Sequence, residues 1–229
     1  MRKLLIAVVV LVLLGAGADF AAARVFEDRV TDVLQREYDL GRRPVVQVRD
    51  FPFLPHLATG RFSTIDVAAT DAHAKGVNAA HLQLTLHGVR VPRDVMLGEP
   101  GRVTVERADG TIELTEAEVN RLLADRLQGG ALDIKDDGVE VRAELPLVGE
   151  ALVTGDLGAR DGAVTFTPGE IRLGDQGRLD PATEDLLSDR FTFRVPLPEL
   201  PAGVRLERID TRPGTVVLSG RAASVGVAA

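Results

Sequence analysis

Histidine is the first residue type to examine for chemistry, because it binds metals and moves protons near neutral pH. The chain has four histidines and no cysteine, which excludes disulfides, thiolate metal sites and cysteine nucleophiles. His81 and His87 share one face of a predicted strand, but six residues of strand separate them by about 20 Å. No H-E-x-x-H motif or similar spacing occurs. The sequence therefore predicts solvated or locally hydrogen-bonded histidines, with no metal and no cofactor.

Nucleophile motifs are absent as well. The sequence contains no G-x-S-x-G, no S-x-x-K and no Walker A pattern. The adjacent carboxylates Asp136 and Asp137 fall in a predicted turn, where aspartate is common for backbone reasons. We therefore predict that the chain is not an enzyme.

The overall charge argues against nucleic acid as a partner. The formal net charge is −7, and the chain has only three lysines and no run of basic residues. Proteins that bind long polyanions do so through basic stripes. We predict no binding to nucleic acid.

Aromatic residues gather in one stretch, residues 49–62, which reads RDFPFLPHLATGRF. Three of the chain's eight Phe lie here, although aromatic residues make up only 4% of the chain. Pro52 and Pro55 keep this stretch out of a central strand, because each removes a hydrogen-bond donor from the ladder. The stretch therefore either fills the core or contacts an apolar ligand.

The N-terminal residues 1–18 form a predicted signal peptide or membrane anchor. Arg2 and Lys3 precede a run of apolar and small residues from Leu4 to Ala18. This length lies at the boundary between a signal sequence and a membrane span. An A-x-A pattern at residues 16–18 would leave Asp19 as the new N-terminus. Both interpretations place residues 19–229 outside the cytoplasm, in the periplasm or on the outer face of the cytoplasmic membrane.

The periodicity of the remaining chain predicts one α+β domain over residues 19–229. Apolar residues recur at helical spacing over residues 19–40, and Gly41 suits the end of that helix. Alternating strands follow, with hairpins predicted at Asp109-Gly110, Asp137-Gly138, Asp161-Gly162 and Pro213-Gly214. Short helices are predicted from Thr115 to Gln128, opening with a capping box, and from Asp180 to about Ser188.

These elements predict a long helix wrapped by a strongly curved antiparallel sheet. The inner face of such a sheet would be apolar, and it would be either packed by side chains or left hollow as a tunnel. The residue pattern alone leaves both possibilities open.

Four motifs in the chain resemble a known family. They are FPFL followed by GRFSTIDV, then IELTEAEVNRLL, then LPLVGEALV, and last FRVPLPELPAGVRLERIDTRPGTVVLSG. In this order, behind an apolar N-terminus, they resemble the actinobacterial LmeA-like phospholipid-binding proteins, named for lipomannan elongation. The resemblance covers most of residues 1–225.

The resemblance implies an exported cell-envelope protein that binds phospholipid, phosphatidylinositol-type lipids included. It also implies a fold similar to the tubular lipid-binding domains of bactericidal/permeability-increasing proteins, which hold acyl chains in an apolar tunnel. On this basis we expect phospholipid as the ligand, the membrane as a partner through the N-terminal segment, and glycan-assembly proteins of the envelope as further partners. The alternative function is a non-enzymatic envelope scaffold with a filled core.

The predicted lipid-binding residues are the large apolar side chains of the aromatic stretch, of the helix after Thr115 and of the strand near residue 193. They are Phe51, Phe53, Leu54, Leu57, Phe62, Val119, Leu122, Leu123, Phe191, Phe193, Leu197 and Leu200. Residues 51–54 are expected at the mouth of the tunnel. Arg61, Arg90 and Arg194 are candidates for contact with a lipid phosphate.

Overall fold

The computed structural model describes most of the chain. The described residues are 2–37, 40–74, 76–97, 99–127, 130–145, 149–160, 163–174, 188, 191–196 and 205–228. The helices are α1 (Arg2–Glu37), α2 (Phe53–Thr59), α3 (Arg93–Met96) and α4 (Glu116–Leu127). The strands are β1 (Val45–Val48), β2 (Arg61–Ala74), β3 (Val77–Arg90), β4 (Arg102–Thr115), β5 (Ala131–Lys135), β6 (Gly138–Leu145), β7 (Gly149–Arg160), β8 (Ala163–Leu173), β9 (Phe193–Pro196), β10 (Arg205–Arg212) and β11 (Thr215–Ala228). The chain is therefore α+β, as predicted.

The long N-terminal helix begins much earlier than the periodicity indicates. The helix predicted over residues 19–40 is helical up to Glu37, but it continues without a break from Arg2. Gly15 and Gly17 do not interrupt it, since glycine costs only about 1 kcal/mol in a helix rich in Ala and Leu. The boundary predicted between residues 18 and 19 consequently lies inside a helix.

The strands form two sheets. One has the order β1-β2-β3-β4-β11-β10, and the other has the order β5-β6-β7-β8-β9. The pairs whose register is defined are antiparallel: β1 with β2, β10 with β11, and each neighbouring pair from β5 to β9.

Three of the predicted hairpins are confirmed. Lys135 pairs with Gly138 across a turn at Asp136-Asp137, one residue before the predicted position, and Arg212 pairs with Thr215 across Pro213-Gly214. Arg160 pairs with Ala163, and the two residues between them lie outside the described residues. Turn residues such as Pro213-Gly214 suit these loops because glycine tolerates the left-handed backbone, and Gly214 has φ = +72°. The predicted helix at residues 180–188 lies outside the described residues apart from Ser188.

The hairpin predicted at Asp109-Gly110 is wrong. The chain runs straight through these two residues inside β4. A two-residue turn needs positive φ at its central positions, and Gly110 is not among the glycines with positive φ. The Asp109 side chain instead accepts a hydrogen bond from Arg107 Nε at 3.0 Å and lies 3.5 Å from His87 Nε2 of β3.

The chain divides into two compact units. Unit 1 contains residues 1–70, 83–109 and 222–229, and unit 2 contains residues 71–82 and 110–221. In unit 1, helix α1 packs on β1 and α2. In unit 2, helix α4 packs on β5, and the five-stranded sheet buries an apolar face that includes Leu132, Val153 and Phe166. The prediction of one domain over residues 19–229 concerns independent folding, which this division does not test.

Candidate functional site

Helix α2 in unit 1 is capped by a carboxylate from a distant part of the chain. Pro52 precedes the helix and provides no side-chain hydrogen bond. Asp19 of α1 instead accepts hydrogen bonds from the backbone N–H groups of Phe53 and Leu54, both at 2.7 Å. The Asp19 residue is only 5% exposed. Free N–H groups and the helix dipole both favour a negative charge here, so Asp19 fixes the start of α2 against α1.

An aromatic cluster lies directly behind this cap. The ring centroids of Phe26, Phe53 and Phe62 are 5.3 to 6.0 Å apart. Phe53 is 1% exposed and Phe62 is 2% exposed, so both rings fill the interior of unit 1. Phe51, two residues before Phe53, is 76% exposed. The aromatic stretch therefore divides into two buried rings and one ring that faces out.

An open cleft of about 260 Å³ lies between α1 and the segment that leads into α2. Its wall combines aromatic rings, small apolar side chains and charged groups. The lining residues are Asp19, Phe20, Ala23, Arg24, Glu27, Gln47, Val48, Arg49, Asp50, Phe51 and Phe53, all of which belong to unit 1. A cleft with this mixed lining suits an amphipathic ligand.

The three carboxylates of the cleft are engaged with the protein backbone. Asp19 caps α2, as described above. Glu27 accepts a hydrogen bond from Val48 N at 2.9 Å, and Asp50 accepts one from Ser63 N at 2.8 Å. These acids therefore hold the walls of the cleft together as hydrogen-bond acceptors.

The two arginines of the cleft have different neighbours. Arg49 donates from Nε to Asp66 at 2.7 Å and forms an ion pair with it. Arg24 instead lies over the ring of Phe20, with its guanidinium carbon 5.5 Å from the ring centroid. Among the residues that the structure describes, no carboxylate lies within ion-pair distance of Arg24. Arg24 is thus a solvent-exposed cation over the exposed ring of Phe20, and the exposed ring of Phe51 lines the same cleft.

Unit 2 contains a second buried carboxylate, Glu118 of α4, which is 6% exposed. It accepts hydrogen bonds from the backbone N–H of Asn78 at 2.7 Å and from Asn78 Nδ2 at 3.0 Å. Arg121, one turn further along α4, donates from Nε at 2.8 Å. The hydrogen bond from Arg121 lowers the pKa of Glu118 to about 2, and the bonds from Asn78 act in the same direction against desolvation. The capping box predicted here is present in part, since Thr115 Oγ1 accepts from Glu118 N at 3.3 Å.

Metal-binding clusters and membrane-spanning helices are both absent from the described part of the chain. No group of three or more histidine and carboxylate side chains is arranged there to hold a metal ion. Among the same residues, we find no helix with both the length and the apolar composition that a membrane crossing requires.

Comparison with known protein families shows which family the chain belongs to. The model of the LmeA-like phospholipid-binding family matches residues 17–221. The chain belongs to the LmeA-like phospholipid-binding family. No curated protein and no solved structure shows significant similarity to it. The description of the family names a ligand and no catalytic activity.

The LmeA-like motifs fall on different elements of the structure. FPFL, residues 51–54, contains the exposed ring of Phe51 and the first residues of α2. TEAEVNRLL, residues 115–123, forms the end of β4 and most of α4. LPELPAGV, residues 197–204, lies outside the described residues. The first motif contributes to the cleft, and the second contains Glu118.

The structure brings only part of the predicted lipid-binding set to the cleft. Phe51 and Phe53 line it, with the ring of Phe62 stacked on Phe53. In α2, Leu54 is exposed and Leu57 is half-buried.

The other predicted residues that the structure describes lie in unit 2. Val119 and Leu123 are buried on α4, whereas Leu122 is exposed. Phe191 is half-buried, and Phe193 opens β9, with its side chain outside the description. Leu197 and Leu200 lie outside the described residues. No observation tests lipid contact at any of these positions, so that role stays a prediction.

The arginines considered for phosphate binding also differ in their surroundings. Arg90 forms an ion pair with Glu106 at 2.7 Å. Arg194 donates to the backbone oxygen of Arg160 at 3.4 Å. Within the described residues, Arg61 has no side-chain ion pair. None of the three lines the cleft.

Sequence reasoning missed Phe20 and Arg24. Both lie on α1, and they are four residues apart, which places them on the same face of a helix. An aromatic residue followed at this spacing by arginine is a local signal for a stacked pair. The amphipathic pattern of α1 identifies the residues that face the core, so it does not reveal this exposed pair.

Proposed function

We propose that the chain binds phospholipid outside the cytoplasmic membrane, and that it thereby supports the assembly of envelope lipids or lipoglycans. Phosphatidylinositol-type lipids are among the proposed ligands. The observation that carries the proposal is membership of the LmeA-like phospholipid-binding family over residues 17–221. Apolar contact supplies the affinity in this proposal, at about 0.8 kcal/mol for each CH₂ removed from water.

The proposal includes an apolar tunnel formed by a curved sheet around the long helix. Ligand pockets of drug-sized molecules have volumes of about 300–1,000 Å³. The cleft of unit 1, at about 260 Å³, is below this range and suits one part of a lipid. Acyl chains would therefore have to extend beyond it along apolar surface.

The proposal also places the N-terminal segment at the membrane, as a signal peptide or as an anchor over residues 1–18. Support comes from the row Leu11, Val12, Leu13 and Leu14, because all four side chains are exposed. Large apolar side chains that no protein covers are typical of surfaces that meet another apolar phase. An exported location, in the periplasm or on the outer face of the cytoplasmic membrane, is part of the same proposal.

Native mass spectrometry of the full-length chain, released from detergent after incubation with phosphatidylinositol and phosphatidylethanolamine, tests this function. Discrete phospholipid adducts are expected for the unmodified chain. Phe51→Asp should remove them, since it places a charge on the exposed ring position of the cleft. Val45→Asp is the matched control, because Val45 is also exposed in unit 1 but does not line the cleft. A chain that carries no lipid under any of these conditions would contradict the proposal.

Phe53 is left unchanged in this test because its ring is buried. Combining Phe51→Asp with Phe53→Asp would bury a carboxylate among the rings of Phe26 and Phe62. An unpaired buried charge is strongly destabilising, so loss of lipid would then report unfolding. Phe51→Asp alone keeps the aromatic cluster intact.

A scaffold with a filled core is the second candidate function. The nearly complete burial of Phe53 and Phe62 favours it, because these side chains occupy the interior of unit 1 themselves. This candidate expects the full chain to carry no lipid and to bind glycan-assembly proteins of the envelope through its surface.

A further inference from the structure

The continuity of α1 relates the cleft to the apolar N-terminal segment. A helix rises about 1.5 Å per residue, so Phe20 lies about 3 Å and Arg24 about 9 Å beyond Ala18 along the axis. The headgroup layer on each side of a bilayer is about 5–8 Å thick. If residues 1–18 lie in lipid along the bilayer normal, as the anchor form of the proposed function requires, Phe20 is at the level of the headgroups and the backbone of Arg24 is just beyond them.

The direction of the Arg24 side chain shortens the distance between its guanidinium group and the apolar segment that ends at Ala18. Side chains on a helix lean toward its N-terminus. The stacking of the Arg24 guanidinium over Phe20, one turn earlier, has this direction. The cation is therefore displaced toward the apolar segment, where a lipid phosphate would be.

The residues around Arg24 suit a membrane surface. Phe20 and Phe51 both line the cleft and are both largely exposed. Aromatic rings favour the boundary between headgroups and acyl chains, and arginine binds phosphate through charge-assisted hydrogen bonds. Since the cleft carboxylates hold backbone N–H groups and Arg49 holds Asp66, Arg24 is the cleft cation that has no carboxylate among the described residues.

We propose that Phe20, Arg24 and Phe51 form a docking surface for a phospholipid bilayer, in which Arg24 binds a lipid phosphate and the two rings enter the headgroup layer. This inference rests on the proposed function and names the site through which the chain meets its lipid source. The cleft carries three carboxylates beside its two arginines, so it has no positive field of its own. Docking therefore depends on short-range contact, and we expect little change in it with ionic strength.

A single tryptophan provides the test, because the natural chain has none. Phe51→Trp places the probe on the proposed surface, and Val33→Trp places it on an exposed part of α1 about 22 Å beyond Ala18. The full chain is reconstituted in vesicles of phosphatidylcholine and phosphatidylglycerol that contain acyl chains brominated near the headgroup. Quenching should be several-fold stronger for the tryptophan at position 51 than for the one at position 33.

Arg24→Glu in the Phe51→Trp background should then reduce the quenching to the level of the position 33 probe. The matched control is Arg29→Glu, since Arg29 is an exposed arginine of α1 that does not line the cleft. It makes the same change of charge and should leave the quenching unchanged. Equal quenching at positions 51 and 33, or equal loss in both arginine variants, would overturn the docking surface.

The two proposals fail in different ways. Lipid adducts in the mass spectrum without quenching at position 51 would overturn the docking surface and leave the proposed function standing. Quenching at position 51 in a chain that carries no adducts would overturn the proposed function and leave a membrane-docked protein.

Discussion

Asp19 in unit 1 and Glu118 in unit 2 are buried carboxylates that have similar structural roles but different neighbouring side chains. Each accepts a backbone N–H at 2.7 Å from a residue more than thirty positions away in the chain. Glu118 also has a cation, Arg121, and its pKa falls to about 2. Asp19 lies on an open cleft whose Arg24 stacks on an aromatic ring instead. In unit 2 the cation, Arg121, is hydrogen-bonded to the buried carboxylate, whereas in unit 1 the cation, Arg24, is exposed at the cleft.

The largest expected loss of stability comes from a variant that distinguishes side-chain packing from hydrogen bonding in unit 1. Phe53 provides both an amide to Asp19 and a buried ring, and Phe53→Ala removes only the ring. We expect a loss of about 3–5 kcal/mol in the free energy of unfolding, because a cavity replaces the ring. Chemical denaturation measures this value.

Phe51→Ala is the matched control for the ring deletion. The Phe51 side chain is exposed, so its truncation should change stability by less than about 0.5 kcal/mol. Similar losses in both variants would mean that the aromatic stretch does not divide into buried and exposed rings.

The next largest loss of stability is expected when the hydrogen bonds of Glu118 in unit 2 are removed. Glu118→Ala leaves the amide and side-chain N–H groups of Asn78 without their acceptor. We expect a loss of about 2–3 kcal/mol in urea denaturation, because a hydrogen bond to a charged group contributes about 1.5–3 kcal/mol to stability. Glu144→Ala, at an exposed position of β6, should be close to neutral.

Acid titration tests whether the charge of Glu118 contributes to the stability of the folded chain. The pKa of Glu118 is about 2 in the folded chain, against an ordinary value of 4.5. The stability that the carboxylate contributes is therefore complete above the ordinary pKa and is lost as the pH falls toward 2. Glu118→Gln cannot titrate, so the stability gap between it and the natural chain should narrow between about pH 6 and about pH 2.5. A gap that stays constant over this range would show that the charge of Glu118 contributes nothing.

The smallest effect concerns the cap in unit 1. Asp19→Ala removes the acceptor of two amides at the start of α2, and loss of a helix cap costs about 1–2 kcal/mol. Thermal denaturation should place this variant between the natural chain and Glu118→Ala. A loss larger than that of Glu118→Ala would reverse the comparison between the two carboxylates.

Local signals predicted much of the fold. The hairpins near Asp137-Gly138 and at Pro213-Gly214 follow from turn residues between alternating strands, and α4 follows from its cap and its apolar periodicity. The same signal failed at Asp109-Gly110, because Asp109 also suits a position between Arg107 and His87 in a continuous strand. A turn motif indicates a local preference for a turn, and contacts with neighbouring strands can override that preference.

The candidate site was less predictable, because it depends on contacts between distant residues. Composition identified the aromatic stretch, yet it could not tell the exposed Phe51 from the buried Phe53. That difference arises where α2 begins, and the start of α2 is fixed by Asp19, thirty-four residues earlier. No pattern within residues 49–62 contains this information.

The position of Asp19 also bears on the export that the proposed function includes. An enzyme that cuts after Ala18 must hold the chain extended at that bond, since proteases act on exposed and unstructured segments. In the folded chain this bond lies inside α1, and the next residue, Asp19, is buried and accepts two hydrogen bonds. Any removal of residues 1–18 would consequently have to precede the folding of unit 1, and a chain that folds first would keep its apolar segment. Under the proposed function, the rate of folding relative to export would then set the ratio of free to membrane-attached protein.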